Sequence, residues 1–141
     1  MKRLAAVVFL GVLAFASVAE SAPRPTVVAK TSRYGKILFD GRGYVLYAFT
    51  KDARGRSACS GDCARAWPPY LAKGPLRVGA GLQSSKIGTT KRADGRLQVT
   101  YAGRPLYYYV GDDGPGVIGC QNVFEYGGDW LVLRPSGALV R

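Results

Sequence analysis

The sequence predicts an all-β fold, a small sandwich or barrel made of two pseudo-symmetric three-stranded β-meander repeats plus a C-terminal hairpin. Three observations predict it. The segment Leu46-Tyr47-Ala48-Phe49-Thr50-Lys51-Asp52 returns as Leu106-Tyr107-Tyr108-Tyr109-Val110-Gly111-Asp112 at a constant offset of 60 residues. Self-similarity at a fixed period marks one supersecondary unit used more than once. Glycine supplies 19 of the 141 residues, about twice the ~7% average, and it punctuates short alternating runs rather than long helical patterns. Turn chemistry repeats as well: Gly35 stands 60 residues before Gly95 of the Asp94-Gly95 pair, which supplies the left-handed backbone of a tight hairpin.

Taken in order, the first repeat has strands at Val27 to Thr31, Lys36 to Phe39 and Tyr44 to Phe49, with turns at Arg33-Tyr34-Gly35 and Asp40-Gly41-Arg42-Gly43. The second has strands at Ile87 to Lys91, Leu97 to Tyr101 and Leu106 to Val110, with turns at Ala93-Asp94-Gly95 and Ala102-Gly103-Arg104-Pro105. A last hairpin joins Trp130 to Arg134 with Ala138 to Val140 through Pro135-Ser136-Gly137. Helix is confined to one turn around Asp62 to Ala66. The connection from Lys73 to Ser85 carries Gly74, Pro75, Gly79 and Gly81, which break regular structure. The domain plan is therefore a signal peptide at 1–19, an arm at 20–26, and a single all-β domain at 27–141. Within that domain, repeat 1 spans 27–72, the connection 73–85 and repeat 2 86–141.

Residues 1–19 have the parts of a secretory signal: Lys2 and Arg3, an apolar run from Leu4 to Phe15, and small residues at Ser17 and Ala19. Cleavage after Ala19 leaves an exported protein, periplasmic or secreted. No lipobox cysteine stands near the cleavage point, and no later apolar run reaches the roughly 18 to 20 residues of a membrane span. Without Lys2 and Arg3 the formal charge of +11 falls to about +9. Such a balance suits an anionic envelope polymer or another envelope protein as partner. The cations are dispersed, however, with no block of five or six like charges, and a solvated surface explains them better. Nothing points to a specific nucleic-acid partner, and oligomeric state is not legible.

Chemistry is bounded by an absence: the chain has no histidine. Ser-His-Asp and Cys-His catalysis and histidine-ligated metals are thereby excluded. Asp40, Asp52, Asp94, Asp112, Asp113, Glu125 and Asp129 leave a carboxylate-dependent hydrolase arithmetically open, yet no spacing singles out a pair. Three cysteines fall short of a structural zinc set, and no cofactor is expected. Cys59 and Cys63 in an exported chain favour a local disulfide that pins the loop before Trp67. The alternative pairs either one with Cys120, which aligns with Cys59 once a single inserted residue is allowed.

The candidate ligand-binding residues are Tyr47, Phe49, Asp52, Tyr107, Tyr109 and Asp112. Residues two apart on a strand share a face, so each aromatic pair forms either half of a stacking platform or part of the core. Asp52 and Asp112 follow three residues later, where a carboxylate can staple turn amides or accept a buried phenol hydroxyl. Cation binding through Asp112-Asp113 is the rival use, without any calcium-loop spacing to support it. Arg54, Arg56, Arg65 and Arg104 are expected near this end. Trp67-Pro68-Pro69-Tyr70 reads as a core tryptophan whose prolines stop a helical turn, or else as a polyproline ligand. Trp130 is its expected counterpart.

The motif of Tyr, any residue, an aromatic, two of any kind and Asp, found at Tyr47-x-Phe49-x-x-Asp52 and Tyr107-x-Tyr109-x-x-Asp112, resembles that of the bacterial "secreted repeat of unknown function" family. Members are often described as predicted lipoproteins. Cys59, Cys63 and Trp67-Pro68-Pro69 add to the resemblance, which covers roughly residues 27 to 137. It implies an exported envelope protein and carries no activity with it. Together with the residues themselves, it leads to the expectation of a non-enzymatic binding or structural module. The alternatives are the hydrolase of an envelope polymer and a metal or redox accessory protein using Asp112, Asp113 and the cysteines.

Overall fold

A computed structural model describes residues 21–141, so the expected signal peptide lies outside the described residues. The elements are β1 (Val27–Ser32), β2 (Gly35–Asp40), β3 (Tyr47–Phe49), the one-turn helix α1 (Asp62–Ala66), a 3-10 turn (Ser84–Lys86), β4 (Ile87–Lys91), β5 (Leu97–Tyr101), β6 (Arg104–Pro105), β7 (Val123–Glu125) and β8 (Gly128–Val132). The fold is all-β. The helical turn stops at Trp67, whose N–H bonds Cys63 O at 2.8 Å, because Pro68 has no N–H to extend it.

Each repeat opens with an antiparallel hairpin, β1 on β2 with Val27 opposite Asp40 and β4 on β5 with Ile87 opposite Tyr101. Three small antiparallel sheets result, ordered β1-β2, β4-β5-β6 and β3-β8-β7. None of them closes on itself, which removes the barrel from the expected pair of architectures.

The third strand of each meander departs from expectation. Residues 44–46 touch β2 through the Phe39–Val45 bridge, but the strand proper is only Tyr47–Phe49 and lies beside β8, with Phe49 opposite Trp130. The second copy reduces to β6 and a bridge at Tyr107. The reason is backbone pairing between the halves: Tyr47 and Tyr107 exchange both N–H to carbonyl bonds, each 2.9 Å. Leu46 N–H still bonds Leu38 O and Leu106 N–H bonds Val99 O within their own repeats, but from the next residue on Tyr47 and Tyr107 turn to each other and β3 takes β8 as a neighbour. Strand β7 was not expected. Its hairpin to β8 turns through Tyr126 and Gly127, both at positive φ (57° and 86°), the two-residue turn ordinarily written Asn-Gly. The C-terminal return is present as a Leu133–Leu139 bridge around Gly137.

Alternation along β3 and β8 divides the core. Tyr47, Phe49, Trp130 and Val132 face one apolar cluster, which also takes in Trp67 and Tyr107. Leu46, Ala48 and Leu133 face a second, with Val99, Tyr101 and Leu106. Residues two apart share a face and neighbours oppose, so one central strand pair serves both.

Candidate functional site

The motif tyrosines are wholly buried, each at 0% exposure. Their hydroxyls cross between the repeats: Tyr47 donates to Asp112 Oδ2 at 2.8 Å, and Tyr107 donates to Asp52 Oδ2 at 2.8 Å. Each carboxylate is completed by a turn amide, Gly119 N–H on Asp112 Oδ1 and Ala58 N–H on Asp52 Oδ1, both at 2.7 Å. The Asp therefore staples a turn, as its spacing suggests, while holding the tyrosine of the other repeat. Burial raises both phenols above their ordinary value, with the facing carboxylates adding to it. Desolvation likewise lifts Asp52 to about 6 against the Ala58 and Tyr107 hydrogen bonds, and burial lifts Asp112.

Four rings stack through the centre in an order that obeys the repeat. Phe49 lies on Trp130 at 4.1 Å, Trp130 on Trp67 at 4.1 Å and 4°, and Trp67 on Tyr109 at 4.7 Å. Tyr47 meets Trp67 edge-on at 5.2 Å and Tyr107 meets Trp130 edge-on at 5.1 Å. Phe49 pairs with Tyr109 by the 60-residue offset, which identifies Trp130 as the counterpart of Trp67. The stack is core, since both indoles are fully buried.

The disulfide is Cys59–Cys63, with Cα atoms 5.3 Å apart. Cys120 is a buried free thiol, and burial pushes it up. Beside the disulfide lies Arg92, which no sequence signal singled out. It is 8% exposed and donates to Gln98 Oε1 (2.7 Å), Ser57 Oγ (3.0 Å) and Cys59 O (2.7 Å). It ties the cysteine loop to β5, and its Nε, with no hydrogen-bond partner, lies 3.9 Å from Asp94 Oδ2.

Outside the core, the duplication has produced two recesses with different fates. One, about 120 Å³, is lined by Phe49, Asp52, Arg54, Ala102, Arg104 and Pro105 among others. Its counterpart, about 250 Å³, is lined by Arg42, Tyr44, Val45, Tyr108, Tyr109 and Asp112. Five of these pair across the offset of 60: Arg42 with Ala102, Tyr44 with Arg104, Val45 with Pro105, Tyr109 with Phe49 and Asp112 with Asp52. In the first recess Arg54 lies over Gly103, where an added Cβ would come within 2.9 Å of it, and its Nη1 donates to Ala102 O at 3.3 Å. The residue 60 positions on is Gly114. The second recess has no such plug.

The open recess shares Arg42 and Tyr108 with a larger groove of about 740 Å³. Pro68, Pro69 and Tyr70 line it on one side, and Pro23, Arg24 and Pro25 of the N-terminal arm on another. Asp40, 2% exposed, sets its geometry. Oδ1 accepts the Arg42 and Tyr44 N–H groups at 2.9 Å each, while Oδ2 accepts Arg42 Nε at 3.0 Å and the Tyr108 hydroxyl at 2.9 Å. The Arg42 guanidinium lies 5.0 Å from the Tyr44 ring centre and 5.9 Å from that of Tyr108. Tyr70 packs on Tyr108 at 5.1 Å and donates its hydroxyl to Thr26 O at 2.8 Å; burial pushes that phenol up to about 12.

Of the six candidate residues, Tyr109 and Asp112 line the open recess, Phe49 and Asp52 its plugged twin, and Tyr47 and Tyr107 lie behind both. Arg54 and Arg104 are at the plugged recess, as expected of that end. Arg42, Tyr70 and Tyr108 were missed. Tyr108 sits inside the motif, but alternation turns it away from its neighbours toward the other side of the sheet. Neither recess nor the groove is lined by more than one carboxylate.

Crossed tyrosine and aspartate pairs, a shared tryptophan stack and offset-related recesses define a duplicated β-meander protein with a groove lined from both repeats. The chain belongs to the family described as "secreted repeat of unknown function", which matches residues 28–70 and 88–134. No curated protein and no solved structure matches the chain significantly. No helix among the described residues is long and apolar enough to cross a membrane.

Proposed function

We propose that the protein is a non-catalytic binding module of the cell envelope, with its ligand seated in the groove that runs from the open recess across Arg42 and Tyr108 to Pro68-Pro69-Tyr70. The observation that carries this reading is the divergence of the duplicated recess. A purely structural repeat has the same reason to fill both copies. Here one is narrowed by Arg54 to about 120 Å³, while the other, about 250 Å³, carries Arg42, Tyr44 and Tyr108. The tyrosine hydroxyls at the groove are already bonded to Asp40 and Thr26. What remains for a ligand is ring faces and edges beside a guanidinium, a surface suited to binding flat or anionic groups.

Asp40 and Asp112, the carboxylates of the groove and the open recess, are each engaged by a tyrosine hydroxyl and turn amides, which supports a binding role over glycoside hydrolysis by a free facing pair. The family's description as secreted supports an envelope location. The experiment is retention on isolated cell-envelope material. Arg42→Ala combined with Tyr44→Ala should abolish retention while the circular dichroism spectrum and melting curve stay those of a folded chain. Retention equal to wild type in that folded variant would overturn the assignment of the groove.

A further inference from the structure

We infer that the ligand of this groove is an acidic polysaccharide, a chain of sugar rings bearing carboxylates. The inference rests on the binding role proposed above and adds the chemical class. Its first support is charge. The groove is lined by four cations, Arg24, Arg42, Lys73 and Arg77, and one anion, Asp40. Asp40 is buried and engaged by Arg42. Arg24, Lys73 and Arg77 are exposed and make no ion pair among the described residues. A surplus of unpaired cations along one groove attracts a polyanion.

Cation type and spacing narrow the class. Three of the four are arginines, whose planar forks match carboxylates two bonds at a time. Together they line a groove of about 740 Å³, more space than a single small anion fills. Between them lie Pro68, Pro69, Tyr70 and Tyr108. These offer flat apolar patches of the size of a sugar ring, and their polar atoms are turned inward: Pro68 O accepts Tyr108 N–H at 2.8 Å, and both phenols donate to the protein. Aromatic faces bind the C–H faces of pyranose rings as apolar surface. Among polyanions outside the cell membrane, a uronate polymer supplies both the alternating rings and the carboxylates.

The test is calorimetry of the exported protein with a hexagalacturonate oligomer, a neutral galactose oligomer of the same length and a single-stranded oligonucleotide. The uronate oligomer should bind at least tenfold more tightly than the neutral one at 50 mM salt, with the margin shrinking at 500 mM as the charges are screened. Lys73→Glu with Arg77→Glu should remove that margin; Lys36→Glu, on β2 away from the groove, should keep it. Equal affinity for both oligosaccharides would overturn the acidic class and leave the binding role standing. Tighter binding of the oligonucleotide would overturn it in favour of a nucleic acid. Failure of all three probes to bind a protein that still adheres to envelope material would reject the polysaccharide alone, and loss of adhesion as well would reject both readings.

Discussion

Tyr107→Phe removes a single hydroxyl from the centre of the protein and leaves Asp52 Oδ2 without the donor that holds it at 2.8 Å. The ring still fills its place against Trp130, so the loss is confined to the polar contacts, the bond to Asp52 and a 2.7 Å contact with Ser57 Oγ. A hydrogen bond to an ionised group contributes about 1.5 to 3 kcal/mol, and one between neutral groups about 0.5 to 1.5. Which figure applies depends on pH. Burial raises the Asp52 carboxyl from 3.8 to about 6, so the folded chain binds that proton more tightly than the unfolded one. Stabilisation from this group is therefore complete below 3.8 and is lost as pH rises through about 6. Removing the Tyr107 donor lifts the carboxyl further, because the bond favoured the charged form. The variant should thus lose about 1.5 to 3 kcal/mol at pH 8 and about 0.5 to 1.5 at pH 4.5, roughly 4 °C in Tm for each kcal/mol in a domain of this size. Urea denaturation at the two pH values measures both. Equal losses, or a loss at pH 8 below about 0.5 kcal/mol, would refute the crossed pairing as a charged, buried contact.

Two further outcomes follow from the geometry. Replacing Cys59 and Cys63 by Ala should cost about 2 kcal/mol, the chain-entropy value for so short a loop, while thiol titration of the wild type should find one group, Cys120, that reacts only after denaturation. Gly137→Ala should destabilise by about 2 to 4 kcal/mol in thermal melts, since its φ is +90° and a methyl there would collide with Ala102 Cβ; Gly116→Ala, at φ +78° with open space around it, should cost only about 1.

Much of this architecture is legible in the sequence because it depends on local pattern. The hairpins at 27–40 and 87–101 follow from alternation and turn residues, and the Cys59–Cys63 bridge from spacing and an expected oxidising compartment. What is not legible is choice of distant partner. The distance from Tyr47 to Asp52 is fixed along the chain, which points to a pairing within one repeat; the structure instead satisfies each tyrosine from the other. The third strands leave their own ladders after Leu46 and Leu106, where Tyr47 and Tyr107 pair with each other instead. The groove was hidden because its residues come from five separate segments, the arm, the Asp40 turn, the Pro68 loop, the 73–85 connection and Tyr108. Tyr70 carried a signal only through the polyproline reading of Trp67-Pro68-Pro69-Tyr70, and Tyr108 gave none beyond being aromatic. Arg92 was invisible because a buried arginine is identified only by the acceptors around it.

The exchange of hydroxyl and carboxylate between halves makes each repeat incomplete alone. Cut the chain in the 73–85 connection and every fragment keeps one donor whose acceptor left with its sibling, one indole without its stacking mate, and one backbone edge without its neighbour. Two copies of a single repeat, by contrast, could satisfy one another completely about a true dyad. The present chain has the layout of two such copies joined end to end, and its two related recesses, each lined from both repeats, are no longer alike.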